Sequence, residues 1–504
     1  MAPQANSVAT IHGKGRLLPD EQLQYSEPES NHNSPLELFA NIPQSIANEW
    51  DLNIDLRFKA VQTEKFSVIE IAQSCYKIIG TDGNTSIEEK KMNLVHAVAL
   101  SISCSYTRKI VEKSFIRRPW WNISSTPATA ANAIDLQWSD YECIDWQSVL
   151  SGTTRANSYC IRKGLSRKAQ FSVYLKRFCA KNPTSILQES TPKTIVIETW
   201  SAFEDEMTMN ISGDIASFGA DLKVNFSFED RIGFCLADAY EEIDKSPDSR
   251  WILKPSVANK GAEIFLITEP HEVKQAILQW PDMREWVLQK YIERPLLVSG
   301  RKFHIRAYIL AVGCLEVYFF NHCLVLASGT SYHKNFTNIY AHLTNTAKQV
   351  ENEEFDEKRN VMLLSDLVSD LRDQQAVPDA EEKVSDVLRQ MHQITHDIFM
   401  AFRGEFSVFA PLENCFEIFG FDFMVDDDFK VHVLEVNPGP DFKQTGTKLK
   451  KVISQLIDDT ITLAVDQKLG LNSNVTRNSH ENGFTKVFSE MRQNRTGGSN
   501  IRLF

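Results

Sequence analysis

The sequence predicts an α+β protein, and three observations carry that reading. Residues 251–345 and 415–437 are dense in β-branched and aromatic residues and are broken by short turn segments, the pattern of strands. Residues 350–403 have helical spacing: Pro378 and Asp379 open a helix whose apolar side is Val384, Val387, Leu388, Met391, Ile394, Ile398 and Phe402. Both ends are polar and aperiodic, so disordered termini are expected around a folded middle.

Composition narrows the class. The chain has 504 residues, enough for several subdomains, and its 42% hydrophobic and 24% charged residues are ordinary globular values. A net charge of −12 argues against a nucleic-acid partner held by global charge. The nine cysteines form no C-x-x-C pair, as expected for thiols in a reducing compartment. The longest apolar region, Ala307–Ala327, is interrupted by Glu316, Asn321 and His322, so no window of ~18 apolar residues exists. A soluble, cytoplasmic protein without a membrane partner is expected.

Along the chain, residues 1–35 read as a polar, disordered arm and 36–90 as an extension without an assigned role. Ser86 and Glu89 form a capping box ahead of a long helix, with Met92, Val95, Ala99, Ile102, Tyr106 and Ile110 as its core stripe. Arg155–Lys181 collects Arg155, Arg162, Lys163, Arg167, Lys168, Lys176, Arg177 and Lys181 with no acid among them. It reads either as a solvated helix face or as a site for an anionic partner. Residues 201–250 are acidic and predict a mobile loop with one short helix. His392 and His396 lie four apart, but the H-E-x-x-H pattern is absent, so no metal role is expected. The tail from 471 to 504 is polar and expected to be disordered.

Three segments concentrate the chemistry. In residues 416–440, apolar strands flank Asp426, Asp427 and Asp428, which suit a turn. Folding the hairpin there brings Asp422 nearly opposite Glu435, and Asn437 shares Glu435's face. Clustered carboxylates in an apolar setting need a partner, and a hard divalent cation such as Mg²⁺ fits oxygen donors. In residues 251–267, a strand ends at Lys254 and a small-residue loop carries Lys260 and Gly261, a pattern suited to phosphate. In residues 287–310, the strand Trp286–Ile292 can present its backbone to an adenine edge. Lys302, His304 and Arg306 alternate on one face of the next strand, where like charges call for an anion.

The motifs WILKPSVANKG, QKYIERPLL, GRKFHIRAYIL, NFTNIYAHLTN and FGFDFMVDDDFKVHVLEVN, in this order, resemble the tubulin-tyrosine-ligase-like family over roughly residues 135–465. The resemblance implies an ATP-grasp fold, with two α+β lobes clasping ATP and a smaller N-terminal lobe. The lobes would be 91–200, 201–295 and 296–470. It further implies that Lys254 contacts the phosphates, with Lys260 and Gly261 in the lid, and that Gln289, Lys290, Tyr291 and Ile292 form the hinge around adenine. Lys302 would reach the phosphates. Thr344 and Asn345 match the H-L-T-N motif at the nucleotide and metal site. Asp422, Glu435 and Asn437 would hold two Mg²⁺ ions. Lys168 would lie near the reacting groups, and Arg306 would stabilise the acyl phosphate.

The activity so implied is ATP-dependent joining of a free amino acid to a protein carboxylate, through an acyl phosphate. The acceptor is expected to be an acidic polypeptide, the C-terminal tail of tubulin, which implies microtubule association. Two departures bear on the transfer step. The family pattern has Asp where this chain has His304, and Arg where it has Leu326. An ATP-binding scaffold with impaired catalysis, and an ATP-grasp ligase with a non-tubulin acceptor, therefore remain alternatives.

Overall fold

The computed structural model describes residues 96–124, 133–203, 208–210, 223–257, 263–336, 338–443, 447–471 and 483–490. The expected arm and extension, the Ser86–Glu89 capping box, and Lys260 with Gly261 lie outside these residues.

The first sheet is parallel, in the order β2-β1-β3-β4. Its strands are β1 (His96–Ser101), β2 (Trp121–Ser124), β3 (Leu136–Ser139) and β4 (Arg155–Ala156). Helix α1 (Ser105–Ile116) connects β1 to β2. The single helix expected through this region is thus a strand followed by a helix. Val98 is buried in β1, and Val111 and Phe115 are the apolar residues α1 buries. Pairing of β1 on both edges overrode the helical spacing.

Helix α2 (Lys168–Lys181) crosses to a second, antiparallel sheet. It contains β5 (Thr194–Glu198), β8 (Trp251–Pro255), β9 (Phe265–Ile267) and β10 (Glu285–Lys290), in the order β5-β10-β8-β9. A separate ribbon pairs β6 (Thr208–Asn210) with β7 (Lys223–Asn225). Two helices, α3 (Phe228–Lys245) and α4 (Pro270–Leu278), pack on the second sheet. Where one short helix was expected, α3 has 18 residues. Its start is a Ser227–Asp230 capping box, and Ile232, Leu236, Ala239 and Ile243 bury one stripe against Trp251, Leu253 and Trp286.

The third sheet runs β14-β13-β12-β15-β16. Its long strands are β12 (Arg301–Val312), β13 (Glu316–Ala327), β15 (Phe416–Val425) and β16 (Val431–Pro438). The short β11 (Leu297–Val298) joins β12, β14 (Val361–Leu363) joins β13, and β17 (Phe484–Ser489) also pairs with β13. The tail expected to lack structure therefore supplies an edge strand.

Both faces of this sheet are covered. On one, Phe303, Ile305, Ala307, Ile309, Phe419, Phe421 and Phe423 pack with α5 (Leu364–Asp373) and α6 (Ala380–Ala401). On the other, Tyr308, Leu310, Val312, Phe416 and Ile418 pack with α7 (Thr447–Ile461) and the first sheet. The second face changes character along the strands. In β12 the apolar series gives way to Arg306, His304 and Lys302, and in β15 to Gly420, Asp422 and Met424. That transition sets the position of the site.

Candidate functional site

The polar end of the third sheet faces the second sheet across a cleft of ≈ 610 Å³. Lys254, Gln289, Lys290, Tyr291, Ile292, Lys302, Thr344, Asn345, Asp422 and Glu435 all line it. Segments more than 150 residues apart in sequence thus deliver the predicted nucleotide and metal residues to one place. Asn437 and Arg306 sit behind this lining, and Lys168 borders an adjoining hollow shared with Lys254 and Gln289.

Register explains the convergence. Val425, Met424 and Phe423 face Val431, His432 and Val433 across the hairpin. Continued unchanged, that pairing would set Asp422 against Leu434. A bulge shifts it by one residue, so Asp422 faces Glu435 and Gly420 faces Asn437. On the other side of β15, Arg306 pairs with Asp422. Arg306, Asp422 and Glu435 therefore form one row across three strands.

The row is closely bonded. The Arg306 guanidinium grips Asp422 with two bonds, one from Nε and one from Nη2 to Oδ2 at 3.0 Å. The Asn437 amide donates to Asp422 Oδ2 and Glu435 Oε1, both at 3.2 Å. Lys168 Nζ lies 3.4 Å from Glu435 Oε2. Burial pushes the Glu435 carboxyl up, but the Lys168 and Lys254 charges outweigh it and hold the group well below its usual range. Burial likewise lowers Arg306, and Asp422 more than restores it, so the guanidinium stays charged.

The lysines are less well compensated. Lys254 and Lys302 are only 7% and 2% exposed. Lys254 Nζ donates to Gln289 Oε1 at 2.9 Å, and Lys302 Nζ to the Tyr291 hydroxyl at 2.8 Å. Burial, and then the charge of Lys254, lower Lys302 to about 7. Burial also lowers Lys254, partly offset by Glu435. Two desolvated cations facing one cleft are arranged for a polyanion.

His304 sits between these groups. Its Nδ1 bonds Thr344 Oγ1 at 2.6 Å, and its Nε2 is 3.9 Å from Asp422 Oδ1. Burial lowers its pKa despite Asp422, so it presents a neutral imidazole. Leu326 pairs with His304 across the sheet and with Val361 on its other side, and it is buried in the apolar core. It packs without contributing a charge to the row.

The cleft has features that the sequence reading passed over. Ile252, Ile264, Leu343, Met424 and Leu434 give it apolar walls. Ile252 and Met424 each lie two residues from a predicted ligand, so strand periodicity was the available signal. A Cβ on Gly420 would lie 2.8 Å from Pro440 Cβ and 3.2 Å from Arg306 Cδ, so the glycine makes room for the arginine.

The basic stretch divides. Arg162 lies 3.1 Å from the buried Glu417 carboxylate and over the Tyr141 ring. Lys163 is lowered to about 8 by burial, with Arg167 adding to the shift. Lys176, Arg177 and Lys181 are exposed on α2. His392 and His396 bond Asn321 and Asp397 separately, so they share no ligand.

A model of the tubulin-tyrosine ligase family matches residues 189–472. A probable tubulin–tyrosine ligase of Schizosaccharomyces pombe is 31% identical over 68% of this chain and 85% of its own length. The probable tubulin–tyrosine ligase PBY1 of Saccharomyces cerevisiae is 28% identical over 69% of this chain, which spans 48% of that protein. The solved C-terminal domain of K. lactis Pby1, described as an ATP-grasp enzyme that interacts with the mRNA decapping enzyme Dcp2, superposes with a TM-score of 0.55 at 27% identity. That match covers 79% of this chain and 99% of that domain. An ATP-grasp fold implies ATP binding with a divalent metal. The chain belongs to the tubulin-tyrosine ligase family and has the ATP-grasp fold.

Proposed function

We propose that the chain is an ATP-dependent ligase that joins an amino acid to a protein carboxylate. The observation that carries this reading is the convergence of two buried, poorly compensated lysines and a carboxylate pair on one apolar-walled cleft. In this reading the adenine occupies the hinge of Gln289, Lys290, Tyr291 and Ile292 between the apolar walls. Lys254 and Lys302 neutralise the phosphates, and Thr344 and Asn345 border the metal end.

The donor set suits Mg²⁺: Asp422, Glu435 and Asn437 offer hard oxygens, and Asn437 already bridges the two carboxylates. Reversing the Asn437 amide would present its oxygen to the ion. When bound, magnesium would supply charge neutralisation at the transferring phosphoryl group. An acceptor carboxylate attacks the γ-phosphorus and ADP leaves. The amino acid's amine then displaces phosphate from the acyl phosphate and loses a proton. Arg306, held by Asp422, lies beside the row where acyl-phosphate charge would develop, and Lys168 borders the acceptor side. The acceptor we favour is an acidic polypeptide such as the tubulin tail, in keeping with the names of the relatives.

The test is calorimetric titration of Mg-ATP into the wild type and Glu435→Gln, followed by ADP release with amino acids and tubulin. Binding by the wild type and its loss by at least roughly tenfold in the variant are expected. No ADP release with any acceptor, despite binding, would sink the ligase reading.

A second reading is favoured by His304: an ATP-binding scaffold that captures a protein partner, as K. lactis Pby1 interacts with the decapping enzyme Dcp2. His304→Asp adds a carboxylate beside Asp422 and should tighten Mg²⁺ in the presence of a non-hydrolysable ATP analogue. If it also raises ligation from nothing to a measurable rate, the scaffold reading gains; an active wild type excludes it.

A further inference from the structure

A chain of hydrogen bonds runs through three residues that line the cleft, Lys302, Tyr291 and His342. Lys302 Nζ meets the Tyr291 hydroxyl at 2.8 Å, that hydroxyl meets His342 Nδ1 at 2.8 Å, and His342 Nε2 meets the Asn335 carbonyl oxygen at 2.7 Å. The direction of each bond follows from what each group can do. A carbonyl only accepts, so His342 carries its proton on Nε2. His342 is enclosed by the rings of Tyr291, Tyr332, His333 and Phe336, which favours the neutral imidazole and leaves Nδ1 bare. A bare Nδ1 accepts, so the Tyr291 hydroxyl donates to it. The phenol oxygen then turns its lone pairs to Lys302. Tyr332 stands beside Tyr291, but its own hydroxyl proton goes to the Glu293 carbonyl oxygen at 3.1 Å.

We propose that His342 and Tyr291 are positioning residues: the fixed imidazole tautomer orients the phenol as an acceptor, and the phenol holds the Lys302 ammonium for the nucleotide phosphates. Lys302 needs such a partner. It is 2% exposed and faces a second buried lysine, and burial together with that charge outweighs the attraction of Glu293. The Tyr291 ring adds a face 4.0 Å from Nζ. The assembly joins the segment just after β10, the sheet strand β12 and the loop bearing His342. It therefore places the lysine relative to both lobes before any ligand arrives. This rests on the reading of the cleft as a nucleotide site.

Two substitutions of His342 separate positioning from packing. His342→Asn keeps an oxygen acceptor where Nδ1 stands and loses the Nε2 donor. His342→Gln keeps a donor near Nε2 and loses the acceptor. Both replace the ring by an acyclic amide. ATP and adenosine titrations on the full chain should show Tyr291→Phe and His342→Gln weakening ATP roughly tenfold, with His342→Asn near the wild type. Adenosine affinity should stay unchanged in the two His342 variants. Equal loss in the Asn and Gln variants, or no loss in either, overturns the proposal. Histidine ¹⁵N spectra of the wild type test it without nucleotide: an Nε2–H tautomer at His342 is expected, and an Nδ1–H tautomer overturns it. A wild type that binds no ATP removes the nucleotide reading instead, and the tautomer then decides whether the relay exists.

Discussion

Lys302 is the residue on which fold and function pull in opposite directions. In the unfolded chain its ammonium titrates near ~10.4, whereas in the folded, ligand-free cleft burial and Lys254 bring it to about 7. The folded state is therefore penalised in full below pH ~7, and the penalty fades as pH rises towards ~10.4. Lys302→Met should stabilise the ligand-free protein most at and below neutral pH, by on the order of a few kcal/mol, with a higher melting temperature, and the gain should vanish near pH ~10. Thermal melts from pH 6 to 10, with and without Mg-ATP, check this. A gain independent of pH would mean that packing, and not desolvation, sets the effect. The same residue shows what was legible. Lys302, His304 and Arg306 alternate, so their shared face followed from the sequence. That Lys302 is bonded through Tyr291 to His342, across 40 residues, did not, because no local periodicity links those segments.

At the level of elements, the β15–β16 hairpin was the most readable part of the chain. Its turn acids and its alternating Phe421 and Phe423 fixed both ends and both faces. The one-residue offset that aligns Asp422 with Glu435 comes from a bulge, and extra residues in a strand leave no periodic trace. The segment over 96–116 misled for a related reason: small and mixed residues satisfy helical spacing, but pairing on both edges of β1 decides its state. Gly420 tests the hairpin's role. A methyl there meets Pro440 and Arg306, so Gly420→Ala should destabilise the protein by about 1–3 kcal/mol. It should also lift Arg306 from Asp422 and lower turnover more than ATP affinity. Denaturant melts and a comparison of turnover with nucleotide Kd separate the two effects. An unchanged melt with full turnover would show that the hairpin yields without moving the arginine.

The whole molecule carries a net charge of −12, yet α2 presents Lys176, Arg177 and Lys181 to solvent, and its first residue, Lys168, borders the hollow that adjoins the cleft. The backbone N–H groups of Lys168 and Ala169 donate to Ser256, so the end of β8 pins the start of α2 near Lys254. An acidic chain repelled by the general surface would be drawn to this helix and led towards the site. The basic residues nearer the cleft make poor probes of that idea. Arg162 is committed to Glu417 and Lys168 to Glu435, so reversing their charge would disturb the fold and the row together. Reversing Lys176, Arg177 and Lys181 to glutamate should leave the melting temperature and Mg-ATP affinity unchanged. Binding of a glutamate-rich peptide should weaken by roughly tenfold at low salt, and the difference should shrink as ionic strength rises and the Debye length falls to ~8 Å. Fluorescence anisotropy across a salt series measures both. Equal peptide affinity for the two proteins at low salt would remove α2 from the acceptor's path and leave an acceptor recognised within the cleft itself.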